Sequence, residues 1–286
     1  MNPELKLNNC RVCDSLLAHS TYIRGEETGN KTELYKCNSC SSYFSKIEFN
    51  QQTENDFDSS SIDVYMNRDY VENRVGDILL YLLKNKWMPD KNVDFLDIGC
   101  GVGWSLVTAE KYGFNAYGIE PMVSAAEYAN KTLNVNVINS LFRSELFKDK
   151  KFDFIMMDQV LEHVPNPRET LIDAFRLLKP GGIFFLSVPP QDWSRIMLSI
   201  SYLLPIMMVK QLKQIRFISK LTSLAKKYDT FAFPEGHINY FSTRAVSILA
   251  KHCNAQVLEQ YHIQKNRAKY IPMVKLSTGS FFIRKN

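Results

Sequence analysis

No apolar run in the 286-residue chain is long enough to cross a bilayer. The longest, Ile196 to Val209, is broken by Pro205 and falls short of the roughly 20 residues a span takes. The first residues, MNPELKLNNC, lack the apolar core of a secretory signal, so the expected location is the cytoplasm. Tryptophan is scarce at three residues, and cysteine numbers only six. Aromatic residues as a class are not scarce: 18 Phe and 14 Tyr can bury ample surface, which excludes disorder as the dominant state. With 45% apolar and 23% charged side chains, the composition is that of an ordinary globular enzyme of one main domain plus an appendage. Acidic residues are nearly missing from the last third. Residues 1–50 are balanced in charge, residues 51–190 carry a net −6, and residues 191–286 a net +11. A basic third beside an acidic middle fits either a face that meets an anion (phosphate-bearing ligand, nucleic acid, acidic membrane) or a merely solvated Lys-rich face.

Four of the six cysteines form two pairs, Cys10-Arg-Val-Cys13 and Cys37-Asn-Ser-Cys40. CxxC spacing lets two thiolates on one tight turn reach a single ion. Two such turns complete a closed tetrahedral shell, as in structural zinc. The 23 residues between the pairs suit a zinc ribbon, with short strands at HSTYI and TELYK. Two disulfides are the alternative, disfavoured by the expected compartment. Neither pair has the context of a redox motif, and Cys100 and Cys253 read as small packing residues. Residues 1–50 are therefore expected to form a zinc-ribbon module.

Residues 51–90 read as a polar, acidic linker followed by entry helices. Val71, Val75, Ile78, Leu79, Leu82 and Leu83 make one apolar stripe at helical spacing, stopped by Pro89. From residue 91 strands and helices alternate. Strands are expected at Val93–Ile98, Ala116–Ile119, Val135–Ile138, Phe152–Met157 and Ile183–Val188. Pro121 is expected at the first position of a helix, and Asn166-Pro167-Arg168-Glu169 opens another that ends at Lys179-Pro180-Gly181-Gly182. The tail adds a helix at Thr243–His252 and strands near Gln256–Ile263 and Ser280–Arg284. Repeated units of this length predict an α/β fold, a doubly wound and mostly parallel sheet.

In such a sheet ligands bind beyond the carboxyl ends of the strands. The first strand ends Asp97-Ile98-Gly99-Cys100-Gly101-Val102-Gly103-Trp104, a turn whose glycines permit close backbone approach. Glu120 closes the second strand, where a carboxylate can accept both hydroxyl hydrogens of a ribose. Trp104 stands where a dinucleotide fingerprint has its third glycine, and Asp97 would repel a pyrophosphate. The electrostatics suit S-adenosylmethionine, which carries a sulfonium and an ammonium but no phosphate.

FLDIGCGVG, then YGIEP, then FDFIMMDQVLEHVPNPRETLIDAFRLLKPGGIFFLSVP, resembles the class I S-adenosylmethionine-dependent methyltransferases. Within these the chain is similar to the ubiquinone-type O-methyltransferases and to the zinc-ribbon methyltransferases of glycan and deoxysugar pathways, over about residues 60–286. The four-cysteine module resembles that of sugar C-methyltransferases, with different cysteine spacing. The resemblance implies a Rossmann-like sheet of seven strands in the order 3-2-1-4-5-7-6, the last antiparallel. It implies that Gly99, Cys100 and Gly101 line the methionine part with Asp97 nearby, that Glu120 holds the ribose, and that Asp158 and Gln159 flank the methionyl group. Tyr65 and Arg74 are candidates for covering the cofactor carboxylate. Asn139 to Leu141 fall at the adenine edge, without the acidic residue often found there in the family.

Methyl transfer needs alignment of nucleophile, carbon and sulfur, and a base for the acceptor proton. His163 and His237 both fall on the expected rim, and each reads either as that base or as a structural hydrogen-bonder. Tyr240 can orient an acceptor or simply pack. His19, His252 and His262 have no such context. No Asn/Asp-Pro-Pro-aromatic motif follows the fourth strand, which disfavours methylation of an exocyclic base amine.

A helical insertion at about 191–235 departs from a minimal fold of this kind. Its apolar residues and the basic face of 196–227 fit a lid over the substrate, a homodimer contact, or peripheral contact with the inner face of a membrane. The leading expectation is O- or C-methylation of a small, anionic acceptor: a sugar, nucleotide sugar or lipid-linked glycan precursor. The alternatives are a quinone-like or phenolic O-methyltransferase, an RNA methyltransferase, or a non-catalytic cofactor-binding protein. The balanced charge of residues 1–50 weighs against nucleic acid.

Overall fold

A computed structural model of the protein describes residues 9–24, 31–45, 66–89, 92–189, 237–261 and 279–286. The insertion, with its lid, dimer and membrane readings, lies outside these residues, as do Tyr65 and His262. Among the described residues no helix is long and apolar enough to cross a membrane.

The N-terminal strands β1 (Leu17–Arg24), β2 (Lys31–Cys37) and β3 (Tyr43–Ser45) form an antiparallel meander. The helix α1 (Arg68–Lys84) follows, its Asn67 cap accepting a bond from the Tyr70 amide. Its stripe behaves as expected, with Val75, Ile78, Leu79 and Leu82 all buried. Then come β4 (Asp94–Ile98), α2 (Trp104–Lys111), β5 (Asn115–Glu120), α3 (Val123–Tyr128), β6 (Val137–Asn139), β7 (Phe152–Asp158), α4 (Pro167–Leu177) and β8 (Leu178–Val188). The chain closes with β9 (Asn239–Tyr240), α5 (Thr243–His252), β10 (Ala255–Tyr261) and β11 (Gly279–Lys285).

Seven strands make one sheet in the order β10-β11-β8-β7-β4-β5-β6. Strands β4 to β8 run parallel, while β11 is antiparallel to β8 and β10 is antiparallel to β11. Renumbered within the sheet, this is the expected 3-2-1-4-5-7-6. Because side chains alternate along a strand, neighbours part to opposite faces. Leu96, Ile155, Phe184 and Phe281 face a core shared with Leu171 and Phe175 of α4 and Val246 and Leu249 of α5. Phe95, Phe154, Phe185 and Phe282 face one shared with Ile78 and Leu79 of α1 and Leu106 and Ala109 of α2. Each of these buried phenylalanines contributes about 1.5–3 kcal/mol. Covering on both faces explains why β7 reads as a nearly unbroken apolar run.

Two local expectations are corrected. Pro121 precedes the Met122 cap of α3 instead of occupying its first turn, because the chain must still bend away from β5. The Lys179–Gly182 segment does not end a helix: α4 stops at Leu177, and Leu178 already pairs with Phe152. The register then slips before Phe154 meets Ile183, with Gly181 at φ +75° absorbing the irregularity.

The cysteine-bearing meander does not stand apart. Strand β3 pairs with β9, so that the segment that follows the insertion completes a four-stranded sheet with the N-terminal module, β1-β2-β3-β9. Cys10, Val12, Cys37, Cys40 and Phe44 belong to the same buried cluster as α4 and α5.

Candidate functional site

Strands β4, β5 and β7 present their carboxyl ends side by side, and each carries an acid at its last or next-to-last position. Asp97 is 3% exposed and accepts a hydrogen bond from the Ser105 hydroxyl of α2. Burial, reinforced by the charges of Asp158 and Glu120, pushes its pKa up to about 7. The turn after β4 folds back on β5: the Gly99 amide donates to the Ile119 carbonyl at 2.8 Å. Gly99 has φ +80°, and a Cβ there would lie 2.4 Å from Val160 Cγ2, so both conformation and space require glycine.

Glu120 holds this turn in shape. Its Oε2 accepts from the Gly101 amide at 2.8 Å and its Oε1 from the Met122 amide at 3.0 Å. Burial raises its pKa, against the pull of those two donors. Two placements differ from expectation. The Cys100 side chain turns into the core, where Sγ would lie 2.6 Å from a Cβ on Gly118, so Cys100 can offer a ligand only its backbone. Asn139 spends its amide on the Glu120 and Pro121 carbonyls, at 2.9 and 3.0 Å.

Arg74 reaches down from α1 to grip Asp158 with two bonds, Nε to Oδ2 at 2.5 Å and Nη2 to Oδ1 at 2.7 Å. It is thus engaged with a protein carboxylate, where the sequence placed it on the carboxylate of a ligand. The Ser187 hydroxyl joins the network, accepting from Arg74 Nη2 and Gln159 Nε2, both at 3.0 Å. Gln159 adopts φ +58°, an uncommon conformation for a residue with a Cβ and one concentrated at functional sites. Three acids around one guanidinium leave the pocket net negative, matching a cation.

Past Asp158 a short turn, Leu161–His163, brings His163 against His237, with ring centroids 4.7 Å apart. Beside them lies Glu162, fully buried, whose two oxygens find no hydrogen-bond partner among the described residues. Its Oε1 stands 4.0 Å from each imidazole Nε2. Burial pushes Glu162 up to about 8, and burial and His163 push His237 down to about 3. The three groups have the chemistry of cation ligands, one atom of each lying within 4.8 Å of the others. A tetrahedral ion with nitrogen and oxygen ligands would need gaps of about 3.4 Å, so the wider cluster reads first as acid–base chemistry. Tyr240 packs: it is buried with Leu34 and Tyr43, its hydroxyl donating to the His237 carbonyl at 3.2 Å. His252 is exposed and sits against the Ile248 carbonyl of its own helix.

The cysteines meet the spacing that the histidine cluster misses. Cys10 and Cys40 Sγ are 3.5 Å apart, as are Cys13 and Cys37. That is too far for a disulfide and close to the roughly 3.8 Å between thiolates on a tetrahedral zinc. The Val12 amide points at Cys10 Sγ and the Cys40 amide at Cys37 Sγ, both at 3.4 Å, an arrangement that favours thiolates.

Sequence reading missed Ser105, Ser187, Glu162 and Asn239. Only Glu162 left a local signal, an acid beside a candidate histidine.

A family model described as "Methyltransferase domain" matches residues 66–260, most of the chain. Curated relatives include a ubiquinone biosynthesis O-methyltransferase of Rickettsia bellii, 31% identical over 110 residues (37% of this chain, 45% of the relative). One of the same description from Coxiella burnetii is 28% identical over 127 residues (43% and 53%). The chain thus spans about half the length of the curated relatives it matches. Among solved structures, magnesium protoporphyrin IX methyltransferase from Synechocystis with bound S-adenosylmethionine aligns with a TM-score of 0.51 at 11% identity, over 84% of this chain and 100% of that one. Sheet order, glycine turn and family match agree: the chain belongs to the methyltransferase-domain family, and its fold is that of the S-adenosylmethionine-dependent methyltransferases.

Proposed function

We propose that the chain transfers a methyl group from S-adenosylmethionine to a hydroxyl, or to a carbon beside a carbonyl, of a small sugar-derived acceptor carrying phosphate. The observation that carries this reading is the meeting, beyond the carboxyl ends of the central strands, of an acid-lined glycine turn and a histidine pair. The net +11 of residues 191–286 supports a phosphate on the acceptor. When bound, the cofactor supplies a methyl carbon already activated by its sulfonium. The protein's share is positioning and proton removal.

Glu120, already fixed by two amides, keeps lone pairs for ribose hydroxyls. Asp97 and the Asp158–Arg74 pair give the methionine end a net negative wall, and Gln159 flanks it. His163 is the base: its side chain is 28% exposed against 12% for His237, whose charged form burial penalises. His237 and Glu162 then orient the imidazole and exclude water. Cys10, Cys13, Cys37 and Cys40 hold a structural zinc. A phenolic, quinone-like acceptor is the second reading, favoured by the description of the curated relatives.

The deciding experiment is mass spectrometry after incubation with methyl-labelled cofactor and two acceptor panels, nucleotide-linked deoxysugars and catechols. Label on the sugars supports the proposal; label on the catechols alone moves it to the second reading.

Two binding predictions follow from the donor pocket. Glu120→Ala should weaken the demethylated cofactor by about 1–3 kcal/mol in calorimetry, through lost charge-assisted bonds and a loosened turn. Unchanged affinity would remove Glu120 from the site. The second concerns Asp97, whose pKa is about 7 in the free protein, above its ordinary value. Its ionisation costs stability as pH rises through 7, and a bound cation reverses that preference. Affinity for the cationic cofactor should therefore climb from about pH 5 to pH 7 and then level off. Binding at pH 6 should release close to one proton, read as a dependence of the heat on buffer ionisation enthalpy. A heat that is the same in all buffers would place the cation away from Asp97.

A further inference from the structure

His163 and His237 come from segments 74 positions apart, yet their rings touch. What joins them is a set of bonds from Ile238 and Asn239 to residues 161–164, and the cysteine module grips Ile238 and Asn239 in turn. Arg11, inside the first CxxC, sends Nη1 to the Ile238 carbonyl at 3.0 Å and to Asn239 Oδ1 at 2.9 Å, and Nη2 to the Ser45 carbonyl at 3.0 Å. Asn239 is 1% exposed and fully used: its Nδ2 donates to the Leu161 carbonyl at 3.1 Å and the Val164 carbonyl at 2.7 Å. Those two carbonyls bracket Glu162 and His163. The Ile238 amide donates to the Glu162 carbonyl at 2.9 Å, and the Ser45 amide to the Ile238 carbonyl at 3.0 Å. Ser242, the cap of α5, donates its hydroxyl to the Cys40 carbonyl of the second knuckle.

We propose that Arg11 and Asn239 are positioning residues: they latch the first cysteine knuckle to both histidine-bearing segments, so that the N-terminal module sets the spacing of His163 and His237. Neither residue touches the glycine turn or Glu120. Asn239 is buried and Arg11 half-buried, each with several partners, so truncating either removes bonds that hold the two segments in place and leaves the donor pocket intact. The two segments are bridged directly by the Asn239 amide and by the Ile238 amide on the Glu162 carbonyl.

The test uses the full chain with histidine rings labelled, assigned through His163→Gln and His237→Gln. In the unsubstituted protein a nuclear Overhauser effect should connect the two rings, whose centroids are 4.7 Å apart. In Asn239→Ala and in Arg11→Ala that effect should be lost, while the demethylated cofactor binds with unchanged heat and stoichiometry. If either variant fails to fold, Arg11→Lys, which keeps the charge but reaches fewer of the acceptors, should weaken the effect in the same direction. Persistence of the ring contact at full intensity in the folded variants, or its loss together with cofactor binding, overturns the proposal. The inference rests on the methyltransferase reading only for its catalytic consequence. Once an acceptor is in hand, Asn239→Ala should lower kcat about 10²-fold with KM near normal, the effect of misplacing a catalytic group by about 1 Å. Absence of methyl transfer to any acceptor would sink the functional reading and leave the ring contact standing as a measurement of the latch.

Discussion

If the four thiolates hold zinc as proposed, replacing Cys40 by serine should abolish metal binding and melt the N-terminal module. The thiol is fully buried, 3.5 Å from Cys10 Sγ, and belongs to the cluster that holds Phe44, Phe175 and Leu249. For a closed four-thiolate shell the binding energy is folding energy, about 10–16 kcal/mol in small zinc modules. A three-ligand remnant does not retain it. The damage should spread, because the Cys40 carbonyl accepts from the hydroxyl of Ser242, the residue that caps α5. We expect one zinc per chain in the unsubstituted protein by elemental analysis, near none in Cys40→Ser after dialysis against a chelator, and a lowered, broadened thermal transition. Equal metal content and an unshifted transition would remove zinc from the account.

The second large effect is expected at His163. If it accepts the acceptor's proton, His163→Ala should cut kcat by about 10²–10⁴-fold, the usual weight of a positioned general base. Cofactor affinity should be preserved, since the imidazole lies in the turn beyond Asp158 and the end of β7. His237→Asn should cost less, because burial already keeps that ring neutral and its share is orientation. The reverse ranking, measured by single turnover with the acceptor that the mass spectrometry identifies, would exchange the two roles.

Much of this was legible in the residues because it is local. Strand and helix periods place the sheet. The glycine turn and Glu120 declare themselves within 24 residues, and CxxC spacing encodes ligand geometry directly. The parts that escaped depend on partners far along the chain. Arg74 meets Asp158 across 84 positions and Ser187 across 113, and Arg11 meets Asn239 across 228. No local pattern tells an arginine on a helix whether it will face a ligand or a protein carboxylate. Cys100 shows the same limit at short range: a residue in the middle of a binding turn directs its side chain away, because Gly118 leaves room on the neighbouring strand. The four-cysteine module looked self-contained for the opposite reason: its ligands are all early, while β9, which completes its sheet, is late.

That last pairing has a consequence for biogenesis. Tyr43 finds its partner Tyr240 only after some 197 further residues have been made, which at ordinary ribosomal speeds takes roughly 10–40 s. Through that interval the nascent ribbon carries an open hydrogen-bonding margin, the kind of surface that recruits stray strands. Yield during expression should therefore respond to elongation rate and metal supply together, since thiolate capture after residue 40 is the earliest event able to hold the unfinished ribbon closed.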